Sequence, residues 1–182
     1  MGGRVKNTGR RVFVLLIAMM AALGLAVAPP AAADVIPIGN LGQTLRVEFK
    51  GIIADITVHD VLPTTPPPGY TPTGSPRWRD QGGPWRAGVT VHIIQAPNPF
   101  VTSLLFAFNG VTPYGDAYAP KNTDAPDALQ TALQNAPVGS TVTGAVYWQV
   151  YRDLVTNVIL TNPQTGFQLA QWNIWQPGTP LP

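Results

Sequence analysis

Two histidines and two aspartates carry most of the chemistry that this sequence could offer. His59 and Asp60 are adjacent in the stretch ITVHDVLP, and Asp55 and His92 lie in segments of similar pattern. A histidine–carboxylate pair can transfer protons, and two histidines with a carboxylate can bind zinc. Adjacent residues of a β-strand point to opposite faces, so we expect His59 and Asp60 not to bond to each other. We expect Asp60 to end its strand and cap the turn that follows.

The sequence holds no stronger motif for catalysis or metal binding. A zinc site of Asp55, His59 and His92 would need neighbouring strands, and no ligand spacing supports it. The three serines beyond residue 33 lie outside any Gly-x-Ser-x-Gly motif, and no glycine-rich phosphate loop is present. We therefore predict no catalytic residue, no metal and no cofactor, and a protein that is not an enzyme.

Residues 1–33 have the pattern of a secretory signal peptide. Basic residues open the segment, an uncharged apolar run spans 12–27, and Ala31 and Ala33 stand where a signal peptidase cuts. As a helix the run would rise about 24 Å, less than the roughly 30 Å of a bilayer core. We predict cleavage after Ala33 and a secreted domain, 34–182, with no stable membrane span. The pair Arg10-Arg11 keeps a twin-arginine export route open beside the general one.

The charge that remains after cleavage excludes one class of partner. The signal segment holds four of the 11 Lys and Arg and none of the nine Asp and Glu. The predicted mature domain is therefore slightly acidic, and its one basic cluster, Arg77, Arg79 and Arg86, includes Asp80. Nucleic acid is not an expected partner, because binding it requires a dense basic face. The chain has no cysteine, so a disulfide cannot stabilise the exported domain.

Period-two alternation of apolar and polar residues predicts an all-β domain. Asn109-Gly110 favours a tight hairpin turn, and residues 123–137 favour one short helix, capped by Thr123 or Asp124, with Leu129 and Leu133 on one face. Seven or eight antiparallel strands predict a two-sheet sandwich, with a small closed barrel as the alternative. The strand segments are TLRVEFK, IIADITVHD, WRAGVTVHII, SLLFAFNG, STVTGAVYWQVYRD, LVTNVIL and GFQLAQWNIW, with a weaker run near 111–118.

A proline-rich loop, residues 62–84, is the most unusual segment of the chain. Proline cannot donate to a strand ladder, so the loop cannot be a central strand. Aromatic residues and arginines at a stiff loop have the composition of an interaction surface, which we assign to Tyr70, Trp78, Arg79 and Trp85. The alternative is that these aromatic residues hold the loop on the sandwich. The tail, 176–182, is expected to fray.

The order of several segments resembles the small secreted immunoprotective antigen family of mycobacteria. The segments are IGNLGQTL, ITVHDVLP, PGYTPTG, VTVHII, GSTVTGAVYWQV and LAQWNIW, and they span roughly residues 36–176. The resemblance implies an immunoglobulin-like β-sandwich without a disulfide, exported from the cell, and it brings no cofactor and no catalytic residue. This sequence differs in a longer proline loop and in added length at 119–130.

These observations lead to three functional hypotheses. The first is a non-enzymatic interaction module at the cell envelope or outside the cell, bound to an unidentified protein or envelope component. The second is a carrier of a small apolar ligand between the two sheets. The third is a hydrolase that depends on Asp55, His59 or His92. We expect a monomer or a weak homo-oligomer.

Overall fold

The computed structural model describes residues 35–70, 73–76, 78 and 82–174 of the chain. The chain divides at Val35–Ile36, and the fold is that of the second unit. The predicted signal peptide with its cleavage site, Arg79 and the tail 176–182 lie outside the described residues. What the sequence predicts for them stays a prediction.

Nine strands and two short helices make up the described part of the chain. In chain order they are β1 (Ile38–Asn40), β2 (Thr44–Phe49), β3 (Ile52–Pro63), β4 (Gly83–Gln95), α1 (Val101–Leu105), β5 (Ala107–Val111), β6 (Ala117–Tyr118), α2 (Leu129–Leu133), β7 (Thr141–Val150), β8 (Asn157–Thr161) and β9 (Gln168–Asn173).

The strands form two sheets that pack face to face. One sheet has the order β2-β3-β4-β7 and is antiparallel throughout, and the other has the order β1-β9-β8-β5-β6. In the second sheet β1 runs parallel to β9, and the other pairs are antiparallel. The prediction of an all-β, immunoglobulin-like sandwich without a disulfide is confirmed, and two separate sheets rule out the closed barrel.

The core between the sheets is built around two tryptophans. Trp148 on β7 and Trp172 on β9 are both completely buried. Each indole N–H donates to a backbone carbonyl, Trp148 to Phe108 at 2.8 Å and Trp172 to Gln43 at 2.9 Å. Large aromatic residues bury much apolar area, and their N–H groups need a partner when buried. The first bond joins the two sheets, and the second joins β9 to the segment that leads into β2. Both indole donors are therefore paired.

The sequence predicts that SLLFAFNG forms one strand that ends in a hairpin turn. The structure differs from this prediction. The first half of the segment belongs to α1, and β5 begins only at Ala107. The predicted turn at Asn109-Gly110 is wrong, because both residues lie inside β5 and Gly110 pairs with Tyr118 and Val158. A Cβ at Gly110 would approach Trp148 to 3.2 Å, so close packing explains the glycine.

The predicted helix at 123–137 is much shorter than expected. Only Leu129–Leu133 is α-helical, and the cap residue is Ala128, which makes no side-chain cap. The Thr123 hydroxyl accepts a hydrogen bond from the Ala125 N–H at 3.1 Å and stabilises a turn before the helix. The shared face is confirmed, since Leu129 and Leu133 are both only 2% exposed.

Strand count and strand ends also differ in detail from the prediction. The weak run near 111–118 contributes only the two-residue strand β6, and β1 comes from a segment too short to show a period. β3 continues to Pro63, so Asp60 does not end it.

Candidate functional site

The outer face of the four-stranded sheet carries an ordered set of polar side chains. Thr44, Thr57, Thr90 and Thr143 are register partners across all four strands. Their hydroxyls bond in pairs, Thr44 to Thr57 at 2.7 Å and Thr90 to Thr143 at 3.1 Å. Cross-strand pairs of this kind stabilise a sheet, so this face has a structural explanation.

A β-bulge places His59 and Asp60 on the same face, which corrects the expectation of opposite faces. Val58 pairs with Val89 and Asp60 with Gly88, so His59 is the extra residue of β3. The His59 Nε2 lies 2.8 Å from the Thr90 hydroxyl, and the Asp60 Oδ1 accepts the Gly88 N–H at 2.9 Å. Each side chain is bonded to its own partner on β4.

Asp55 is opposite His92 in the sheet but is held by Arg46. The Arg46 guanidinium donates to both carboxylate oxygens of Asp55, at 2.8 and 3.0 Å. This hydrogen bonding lowers the pKa of Asp55 and raises the pKa of Arg46. His92 Nδ1 lies 3.0 Å from the Thr141 hydroxyl. Within the described residues, no three His, Cys, Asp or Glu side chains form a group that could hold a metal ion.

Two segments outside the strands cover the other half of this sheet face. Trp78, from the proline loop, packs edge-on to Tyr147 of β7 with ring centroids 6.4 Å apart, and only 8% of Trp78 is exposed. Ala125 completes this small cluster. Pro68 connects the two segments, because its carbonyl accepts the Thr123 hydroxyl at 2.8 Å and the Asp124 N–H at 2.9 Å.

Three of the four predicted surface residues lie among the described residues, and they differ in exposure. Trp78 is buried under the loop, which favours the alternative that it holds the loop on the sandwich. Trp85 is half-buried and packs against the main core. Tyr70 is 61% exposed, and Arg79 lies outside the described residues. The interaction surface assigned to these four residues stays a prediction.

A groove of about 520 Å³ lies along the side where β7 and β5 face each other across the sandwich. Residues of α1 and α2 line it, and so do residues 120–123. Core residues form its apolar part: Phe106, Phe108, Leu129, Leu133 and Val146. The volume falls within the range of small-molecule sites, and the lining combines apolar surface with a few polar groups.

Lys121 is held at the border of this groove. Its backbone N–H donates to the Tyr147 carbonyl at 2.9 Å, and its ammonium donates to the Gln149 side-chain oxygen at 2.5 Å. The ammonium also lies 5.2 Å from the centroid of the Trp78 ring. A glutamine and an aromatic ring attract a cation without neutralising its charge.

Tyr147 borders the groove beside Lys121 and stays protonated at neutral pH. Its hydroxyl donates to the Asp127 carboxylate at 2.7 Å. Burial, together with this bond and the negative charge of Asp127, raises the pKa of Tyr147 to about 12. The phenol is therefore a fixed neutral group at the groove wall rather than a base.

Comparison with known proteins gives one informative match. No family model and no curated protein matches the chain. Among solved structures, a secreted protein of Mycobacterium tuberculosis, MPT63, matches with a TM-score of 0.60 and 23% identity. The match covers 78% of this chain and 99% of MPT63. This chain has the fold of MPT63.

At 23% sequence identity, the similarity to MPT63 shows a shared fold and nothing more. It confirms, at that level, the resemblance that the order of the sequence segments indicated. MPT63 is described as a secreted protein. Separately, neither helix in the described ranges is long and apolar enough to cross a membrane.

The sequence did not reveal the groove. Part of its polar lining lies within 119–130, the segment that stood out as added length, and Lys121 is one of only two lysines after residue 33. Those two signals could have singled out Lys121. The apolar floor could not have been predicted, because its residues come from β5, α2 and β7, which are distant in sequence.

Proposed function

We propose that the protein is a non-enzymatic binding protein that acts outside the cell and takes a small ligand with a substantial apolar part into the groove between β5 and β7. The groove is the observation that carries this proposal. It has the volume of a ligand site, and side chains of the hydrophobic core form its floor.

The proposal modifies the carrier hypothesis in one respect. The sandwich core itself is closed around Trp148 and Trp172, so the ligand would lie at the side of the sandwich rather than between the sheets. The extracellular setting is supported by the signal-peptide pattern of residues 1–33 and by the fold of MPT63, a secreted protein.

A groove-filling substitution tests the proposal. Thr131 is an exposed residue of α2 that lines the groove, so Thr131→Trp should fill the groove without disturbing the core. We expect decanol to shift the backbone amide NMR signals of groove residues in a saturable way in the unmodified protein, and this response to be lost in Thr131→Trp.

The matched control is Thr143→Trp, an equally exposed threonine on the polar sheet face outside the groove. It should bind decanol as the unmodified protein does. Saturable binding that survives in Thr131→Trp, or shifts confined to residues away from the groove, would reject the groove as the site.

Tyr70 supports a second candidate, an interaction surface on the proline loop. It is 61% exposed, and the Pro68 carbonyl fixes the neighbouring backbone through its bonds to Thr123 and Asp124. A rigid loop that presents an aromatic side chain loses little entropy on binding. Tyr70→Ala should weaken the binding of a protein or envelope partner while the protein stays folded, and unaltered affinity would reject this candidate.

A further inference from the structure

The charge that lines the groove is positive. Among the described residues of the lining, only Lys121 is charged, and none is acidic. Asp127, whose carboxylate accepts the Tyr147 hydroxyl, does not line the groove. The ion pair found among the described residues joins Arg46 to Asp55, on the outer face of the four-stranded sheet.

The positive charge and the apolar lining occupy different parts of the groove. Lys121 lies at the level of Tyr147, whereas residues 127–129 lie against Ala145 and Gly144. Two residues of a strand span about 7 Å, so the ammonium is displaced along β7 from the apolar floor near Leu129 and Leu133. The positive charge is therefore displaced along the groove from the apolar lining residues Phe106, Leu129 and Leu133.

The cation is positioned but not neutralised. The Gln149 side-chain oxygen and the Trp78 ring hold the ammonium, and both groups are uncharged. Both residues lie beside the groove rather than in its lining, so the ammonium stands at its border. An ammonium has three donors, so it can donate to a ligand and still keep its bond to Gln149. A hydrogen bond between charged partners is stronger than one between neutral groups.

We propose that the ligand of the groove is an anionic amphiphile, with a carboxylate or similar head at Lys121 and an apolar chain over Phe106, Leu129 and Leu133. This inference rests on the proposed function, since it names the class of ligand that the same groove binds. An apolar chain with a cationic head would place like charges together at Lys121 and should bind least well.

Three ligands with the same chain and different heads test the inference: decanoate, decanol and decylamine. Binding is followed by shifts of the groove amides in NMR spectra of the purified protein at neutral pH. We expect decanoate to bind about tenfold more tightly than decanol, the size of one hydrogen bond to a charged group, and decylamine to bind more weakly than decanol.

Lys121→Gln should abolish the preference for decanoate and leave the affinity for decanol unchanged. Lys50→Gln, at the other lysine of the predicted mature domain, should leave the preference intact. If Lys121→Gln does not fold, Lys121→Arg must retain the preference, and methyl decanoate must bind the unmodified protein no better than decanol.

The outcomes separate the two proposals. Equal affinities for decanoate and decanol, or a preference that survives in Lys121→Gln, would overturn the inference and leave the groove as a ligand site. Failure of all three ligands to shift the groove amides would overturn the proposed function and the inference together.

Discussion

One extra residue in β3 determines the surroundings of His59 and Asp60. The bulge turns Asp60 to the outer face, where its carboxylate accepts the Gly88 N–H. A Cβ on Gly88 would lie 3.0 Å from the Asp60 oxygen, so the glycine allows this close approach. Asp60 therefore serves as an acceptor that stabilises an irregular point of the sheet, and its partner is a backbone group rather than His59.

Asp60→Ala should lower the free energy of unfolding by about 1–2 kcal/mol, because the half-buried Gly88 N–H loses its acceptor. Asp60→Asn keeps an oxygen at the same place and should cost clearly less. Urea unfolding of both variants at pH 7 measures the difference. An Asn variant as unstable as the Ala variant would show that the charge of Asp60, and not its acceptor oxygen, is what matters.

Tyr147 should make stability depend on pH in the alkaline range. Its pKa rises from 10.0 in the unfolded chain to about 12 in the folded protein, so the folded state binds the proton more tightly. The resulting stabilisation is complete below pH 10 and is lost as the pH rises towards 12. Tyr147→Phe should therefore cost about 1–2 kcal/mol at pH 7 and remove part of the alkaline loss.

Urea unfolding of the Tyr147→Phe variant at pH 7 and pH 11 provides the measurement. The stability gap to the unmodified protein should narrow at the higher pH. The control is Tyr114→Phe, at a tyrosine that is 81% exposed, which should change stability at neither pH. A gap of the same size at both pH values would contradict the assigned role of the Asp127 bond.

At the scale of the elements, the segment that leads into α2 packs against the edge strand β7. Ala145 donates its N–H to the Asp127 carbonyl at 2.6 Å, and Leu129 lies directly over Gly144. This contact supplies a partner for the outer edge of β7, the last strand of its sheet in the part of the chain that the structure describes. It also sets the position of α2, and with it one wall of the groove.

Gly144→Ala should therefore destabilise the protein and disturb the groove. A Cβ at this position would meet the Leu129 Cα at 2.8 Å and the Asp127 carbonyl at 2.9 Å, and backbone atoms cannot rotate away. We expect a loss of about 1–3 kcal/mol in urea unfolding. Gly83→Ala, where the nearest side-chain atom is 3.6 Å away, should be nearly neutral. Equal effects of the two substitutions would mean that α2 moves freely from β7.

The strands were predictable where a clear period of two extended over several residues. In β3 the burial follows the alternation of apolar and polar residues closely. In β7 both faces are buried over residues 144–148, because Trp78 and Ala125 cover the outer one. The start of β5 was not predictable, because the apolar run from Leu104 to Phe108 fits a helix end and a strand equally well. The bulge in β3 was not predictable either, because it arises from the pairing of β3 with β4.

At the scale of the whole molecule, the protein is stabilised without a disulfide, since it has no cysteine. The core buries Trp148 and Trp172 completely, and each of these two indoles donates to a backbone carbonyl of another segment. Reducing conditions should therefore leave its unfolding unchanged.

Export itself can be tested on the full-length chain. We expect the intact mass of protein from culture supernatant to correspond to residues 34–182. Ala33→Arg should block the cut and keep the chain with the cells. Replacing Arg10 and Arg11 by lysine separates the routes, because loss of export would indicate the twin-arginine route. Full-length chain in the supernatant would contradict the predicted cleavage.

The sequence by itself determined the all-β class, the principal strands and the absence of a disulfide, because alternation and composition are local properties. It also predicts the signal peptide on the same grounds. The tertiary structure alone decided which aromatic residues are buried, which face His59 and Asp60 share, and where a groove lies. Those features arise from contacts between segments far apart in sequence: Trp78 with Tyr147, β3 with β4, and Lys121 with Gln149.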